Sequence, residues 1–172
     1  MEGPRRKPNR LPKYDYSGVG YYFVTVCTKN HACLLWETAP SPQTDGFERC
    51  VGADIIRPPC HLSPLGQIVT DAIPQIPSHY PNVAVDKYVV MPNHIHLILV
   101  LNEPSGRMIS APTKSLSTIV GSMKRYASRV AGFPLWQKSF HDHVIRNEPD
   151  YLRIWQYMDS NPLKWEEDCY HV

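Results

Sequence analysis

The sequence predicts an α+β fold organised around one antiparallel sheet. Three observations carry that prediction. Short segments are dense in β-branched and aromatic residues, longer ones carry apolar residues at helical spacing, and the two kinds alternate as strand, helix, strand, strand, helix, strand. A chain of 172 residues, 42% of them hydrophobic, can bury one core, so a single domain over 1–172 is expected.

Tyr21-Tyr22-Phe23-Val24-Thr25-Val26-Cys27-Thr28 marks the first strand. The residues before it, 1–13, read as a loose polar arm. From 39 to 59 the chain is rich in Pro, Gly, Ser and acids, which suits neither period and reads as a loop insertion. Leu65, Ile68, Val69, Ala72 and Ile73 then recur at helical spacing, with Pro64 at the first turn and room to continue past Pro74. Asn82–Val90 alternates as a second strand, Met91-Pro92-Asn93 supplies a turn, and Ile95–Leu101 forms a third strand paired to it as a hairpin.

Leu116, Ile119, Val120, Met123, Tyr126, Ala127 and Val130 define a second helix, with Ser115 or Ser117 as cap and Gly132 as stop. Ser139–Ile145 is the last strand. Asn147 caps a final helix from Glu148 to about Ser160, with Pro149 in its first turn and Pro162 ending it. This order is that of a ferredoxin-like βαββαβ antiparallel sheet, with helices on one face and an additional C-terminal helix carrying Tyr157. The first and third strands should be central.

Charge is nearly balanced, with 18 Lys and Arg against 16 Asp and Glu and a net charge of +2, so distribution matters more than the total. Lys124, Arg125 and Arg129 cluster on the second helix, with Lys138 and Arg146 downstream, a pattern that can track phosphates. A solvated helix face explains the helix-borne trio equally well. The five cysteines, Cys27, Cys33, Cys50, Cys60 and Cys169, contain no C-x-x-C pair and leave one over in any full pairing, which fits a reducing cytoplasm. No apolar run approaches the roughly 18 residues of a membrane span, so no membrane partner is expected.

The chemistry concentrates at His94-Ile95-His96, inside the apolar run Tyr88–Leu101. Residues i and i+2 of a strand share a face about 6 to 7 Å apart, and imidazole nitrogens can converge from there on a divalent cation. Histidines on a half-buried strand also serve as hydrogen-bonded packing residues. Tyr157 and Asn161, four apart on the last helix, project from one face. A phenol with a pKa near 10 becomes a nucleophile once a metal or base draws off its proton, and Asn161 could orient it or ligate the cation.

Met91-Pro92-Asn93-His94-Ile95-His96-Leu97-Ile98, Trp136-Gln137-Lys138-Ser139-Phe140-His141-Asp142-His143-Val144-Ile145-Arg146 and Tyr157-Met158-Asp159-Ser160-Asn161-Pro162 resemble the three signature blocks of single-tyrosine HUH transposases. Within that family the resemblance is to the REP-associated tyrosine transposases. It runs from about Tyr21 to Trp165, with the blocks in the right order. It implies that His94 and His96, with Asn161 as third ligand, hold Mg2+ or Mn2+, and that Tyr157 attacks single-stranded DNA. The products would be a 5'-phosphotyrosine and a free 3'-hydroxyl, so that the strand can be rejoined and DNA transposed.

The implied partner is single-stranded DNA with hairpin, palindromic ends, bound by a monomer or homodimer. Lys124, Arg125, Arg129, Lys138 and Arg146 would hold its backbone, and Asp142 and His143 would support the metal ligands from behind. Two other readings fit the same residues. One is a catalytically inactive or domesticated nucleic-acid-binding module, and the other a zinc site completed by His141 or His143.

Overall fold

The computed structural model of the chain describes residues 14–37, 61–103 and 114–171. The expected arm at 1–13 and insertion at 39–59 lie outside them. Strand β1 (Gly20–Cys27) is followed by helix α1 (Pro64–Ala72), a short helix α2 (Ile76–His79), strands β2 (Val83–Val90) and β3 (His94–Leu101), helix α3 (Leu116–Ala131), strand β4 (His141–Ile145) and helix α4 (Glu148–Ser160). The strands form one antiparallel sheet in the order β2-β3-β1-β4, which makes β1 and β3 central, as the ferredoxin-like prediction requires.

Local chemistry sets most of these boundaries. The Ser63 hydroxyl caps α1 by accepting from the Gly66 amide at 3.1 Å, while Pro64 occupies a first-turn position where a missing N–H costs nothing. Gly66 is needed for a different reason: a Cβ there would lie 2.1 Å from the Leu35 carbonyl oxygen, so only glycine lets α1 approach that segment. Gly132 ends α3 in the left-handed conformation, φ 81°, where an L side chain is disfavoured. Asn147 caps α4 through its side-chain oxygen, which accepts from the Asp150 amide at 2.9 Å.

Two boundaries differ from expectation. The last strand begins at His141 rather than Ser139, because the carbonyls of Gln137, Lys138 and Ser139 accept instead from the Lys124 ammonium, at 2.6, 3.4 and 2.9 Å. Pro162 also does not stop the chain's helical course. It sits in the first turn of a 3-10 run, Asn161–Glu167, where proline needs no hydrogen-bond partner, and so it redirects the segment after α4.

The sheet is covered on both sides. Ile95, Leu97, Leu99 and Leu101 of β3 face α1 and α3, packing with Val69, Ile73, Ile119 and Met123. The alternate residues His94, His96 and Ile98 face α4, where Ile98 packs with Val89, Ile145, Ile154 and Met158. Burial on both faces explains why β3 reads as a nearly unbroken apolar run. In β2 the register shifts between Val85, paired with Leu99, and Lys87, paired with Ile98. The extra residue, Asp86, is a β-bulge that turns Lys87 and Val89 onto the α4 face, whereas Val83 and Val85 stay on the other.

Candidate active site

The pleat of β3 places His94 and His96 beneath α4, both fully buried. Their Nε2 atoms lie 3.0 Å apart. Each ring is held through its other nitrogen. The Asn93 side-chain nitrogen donates to the carbonyls of His31 at 3.2 Å and Tyr170 at 2.7 Å, which leaves its oxygen as acceptor for His94 Nδ1 at 2.8 Å. His94 therefore carries its hydrogen on Nδ1 and presents an Nε2 lone pair to the site. Thr25, opposite His96 across the β1–β3 ladder, places its hydroxyl 2.8 Å from His96 Nδ1.

Burial favours the neutral form of both rings. It lowers the His94 pKa from 6.5 to about 4, against an opposing pull from Asp168, and it holds His96 well below 6.5, helped by His94 beside it. Neutral, oriented imidazoles are the form that binds a metal.

Tyr157 comes to the same point from α4. Its hydroxyl is 3.3 Å from His96 Nε2 and donates to an Asp168 carboxylate oxygen at 3.3 Å. The ring meets His96 edge-on at 5.3 Å and Phe23 at 6.3 Å, yet 37% of the residue remains exposed, so the hydroxyl can be approached from outside. Burial first, and then the Asp168 charge, push its pKa well above 10.

Asp168 completes a cluster in which one ligand atom each from His94, His96 and Asp168 lie within 4.8 Å of one another. No sequence signal pointed to it, because it follows an irregular 3-10 run, not a strand or helix with a readable face. Asn161 is buried beside these residues. It shares a cleft of about 270 Å³ with Tyr157, Ser160, Lys164, Glu167, Asp168 and Cys169, and its amide nitrogen has no hydrogen-bond partner among the described residues.

The other expected site residues lie elsewhere. Asp142 pairs with Val24 and so points to the α1–α3 face, away from the histidines. His143 bonds Asp150 at 2.7 Å on the exposed edge of β4. The two imidazole rings are thus held by Asn93 and Thr25, not by Asp142 or His143. Lys124, Arg125, Arg129 and Lys138 line a cleft of about 640 Å³ between α3 and the 132–140 loop, on the opposite side of the sheet from Tyr157. Arg146 is exposed just beyond β4.

No protein-family model matches the sequence. An uncharacterized protein of Haemophilus influenzae is 31% identical, over 97% of this chain and 93% of that protein. Among solved structures, a REP-associated tyrosine transposase bound to a REP hairpin superposes with a TM-score of 0.58 at 22% identity, covering 96% of this chain and 74% of that one. The chain thus belongs to one family with the Haemophilus influenzae protein, and it has the fold of a REP-associated tyrosine transposase.

Proposed function

We propose that the chain is a single-tyrosine DNA strand transferase, which cuts single-stranded DNA through a 5'-phosphotyrosine and rejoins it, in DNA transposition. One observation supports this above the others: the Tyr157 hydroxyl stands 3.3 Å from His96 Nε2, in a cluster of two neutral imidazoles and a carboxylate. That set of two nitrogen donors and one oxygen donor fits a divalent cation held by His94, His96 and Asp168, and its imidazoles favour Mn2+ over Mg2+. When bound, such a cation polarises a phosphate and offsets the charge that develops on it.

The chain's own residues supply the rest. Tyr157 is the nucleophile: its oxygen bonds phosphorus while its proton passes to the Asp168 carboxylate that its hydroxyl already meets. The 3'-oxygen leaves with the electron pair of the broken bond and takes up a proton as the 3'-hydroxyl. Asn93 and Thr25 keep the imidazoles oriented. The unpartnered Asn161 amide nitrogen can donate to a phosphate oxygen, and the side-chain oxygen beside it can serve the cation as a further ligand. The solved neighbour's REP hairpin motivates hairpin-ended DNA as the substrate, with Arg125, Arg129 and Lys138 as backbone contacts.

Incubation of the protein with labelled hairpin-bearing single strands and Mn2+ or Mg2+ tests the reading. A covalent adduct is expected with the wild-type chain and none with Tyr157→Phe, whose fold should be intact because only a partly exposed hydroxyl is removed. Binding without an adduct in either metal would reject the transferase in favour of a binding module.

A further inference from the structure

Helix α4 presents three stripes. Ile154 and Met158 pack on the sheet, Tyr157 and Asn161 lie on the flank toward the histidines, and Tyr151, Trp155 and Asp159, four residues apart in turn, run along the flank toward β2. That last stripe is gripped by two consecutive residues of the β2 bulge. The Tyr151 hydroxyl donates to the Asp86 carboxylate at 2.8 Å, and the Lys87 ammonium pairs with Asp159 while standing 3.0 Å above the Trp155 ring.

Lys87 is only 2% exposed, and its burial pulls its pKa down while Asp159 pulls it up. Without the bulge the two-residue pleat would send Lys87 to the face of Val85, into the α1–α3 core. A buried ion pair contributes little net stability compared with apolar residues of the same volume, so stability alone does not account for it. What it fixes is geometry.

The two contacts lie two turns apart on one flank of α4 and resist rotation of the helix about its axis. Side-chain tips lie about 5–6 Å from a helix axis, so a roll of about 20° would carry the Tyr157 hydroxyl about 2 Å. That would break its 3.3 Å approach to His96. We infer that Asp86 and Lys87 are positioning residues that set the roll of α4 and so hold Tyr157 at the chain's own histidine pair. The inference rests on the reading of Tyr157 as nucleophile.

The test uses the full chain with Lys87→Met and Asp159→Leu combined, which removes the ion pair without stranding a buried charge. The midpoint of thermal unfolding and the affinity for hairpin-bearing single strands should stay at wild-type values. The single-turnover rate of adduct formation with Mn2+ should fall about 100-fold, the usual consequence of an ångström-scale misplacement. A rate within twofold of wild type would overturn the inference.

Asp86→Ala, which touches only an exposed contact and should fold normally, is expected to slow adduct formation several-fold, and an unchanged rate counts against the proposal. Should the wild-type chain form no adduct at all, the transferase reading fails by itself. The roll is then read by fluorine resonance from 3-fluorotyrosine at position 157. The expected result is a single shifted line in the wild type that moves toward the solvent value in the double variant, and an identical line in both would refute the inference.

Discussion

The two faces of the sheet are built on different terms. Toward α1 and α3, β3 contributes Ile95, Leu97, Leu99 and Leu101, fully buried and purely apolar. Toward α4 the same strand contributes His94 and His96, and its neighbours bring Thr25, Lys87 and Asn161, all buried and polar. Apolar contacts are non-directional, so the first face needs volume and shape. The second holds groups whose value depends on angle and protonation, and the imidazoles and Lys87 are each held by a named partner while the Asn161 amide nitrogen is left open toward the cleft. The first face should therefore carry the stability and the second the chemistry.

The largest effect expected from breaking that division is on the apolar side. Leu97→Ala should cost about 2–5 kcal/mol, lowering the melting temperature by several degrees or more, because it opens a cavity under α1 and α3. On the other face, Thr25→Val with His96→Leu removes both ends of one hydrogen bond. It should leave stability within about 1 kcal/mol of wild type while abolishing metal binding and adduct formation. Thermal unfolding in EDTA compares the two, and a loss in the polar variant matching Leu97→Ala would erase the distinction.

Acidification sharpens the comparison next. A histidine whose folded pKa lies below its unfolded value binds more protons when unfolded, so stability is lost as pH falls. For His94 the window runs from 6.5, the unfolded value, down to about 4. The loss at its foot is of order 3 kcal/mol, and His96 extends it in the same direction. Urea unfolding at pH 7 and pH 4.5 in EDTA should show this loss in the wild type and a smaller one in the Thr25→Val, His96→Leu variant. Equal slopes in the two proteins would mean that His96 does not titrate on unfolding.

The sequence exposes these two faces unequally. Leu116, Ile119, Val120, Met123 and Ala127 mark α3 by spacing alone, and the strand order followed from the alternation of such segments. His94, His96 and Tyr157 could be found because each sits where a periodic pattern assigns a face. Thr25 could not, since its place opposite His96 depends on the β1–β3 register, which no local pattern encodes. Asn93 reads as turn chemistry, and its role emerges only from the carbonyls its amide meets. Lys87 was hidden by the bulge, because plain alternation puts it on the wrong face. Asp168 returns to the site through irregular backbone. Polar partnerships across the sheet are tertiary facts, whereas apolar faces are already written into each element.

The smallest expected effect separates two basic residues that the sequence treats alike. Arg125 is exposed at the mouth of the α3 cleft, and if it meets a phosphate, Arg125→Ala should lower DNA affinity alike for all sequences. It should also reduce the slope of log affinity against log salt by about 1. Lys124 is half-buried and its ammonium is already committed to the carbonyls of Gln137, Lys138 and Ser139. Lys124→Met should therefore leave the salt slope unchanged and instead loosen the 137–139 segment, at a stability cost of about 1 kcal/mol, chiefly from the part-buried Gln137 carbonyl. Gel-shift titrations at several salt concentrations, paired with melting curves, distinguish the two. A salt slope lowered by Lys124→Met with no loss of stability would show that the ammonium leaves its carbonyls to meet DNA, and that the α3 face, like the α4 face, spends a buried polar group on binding.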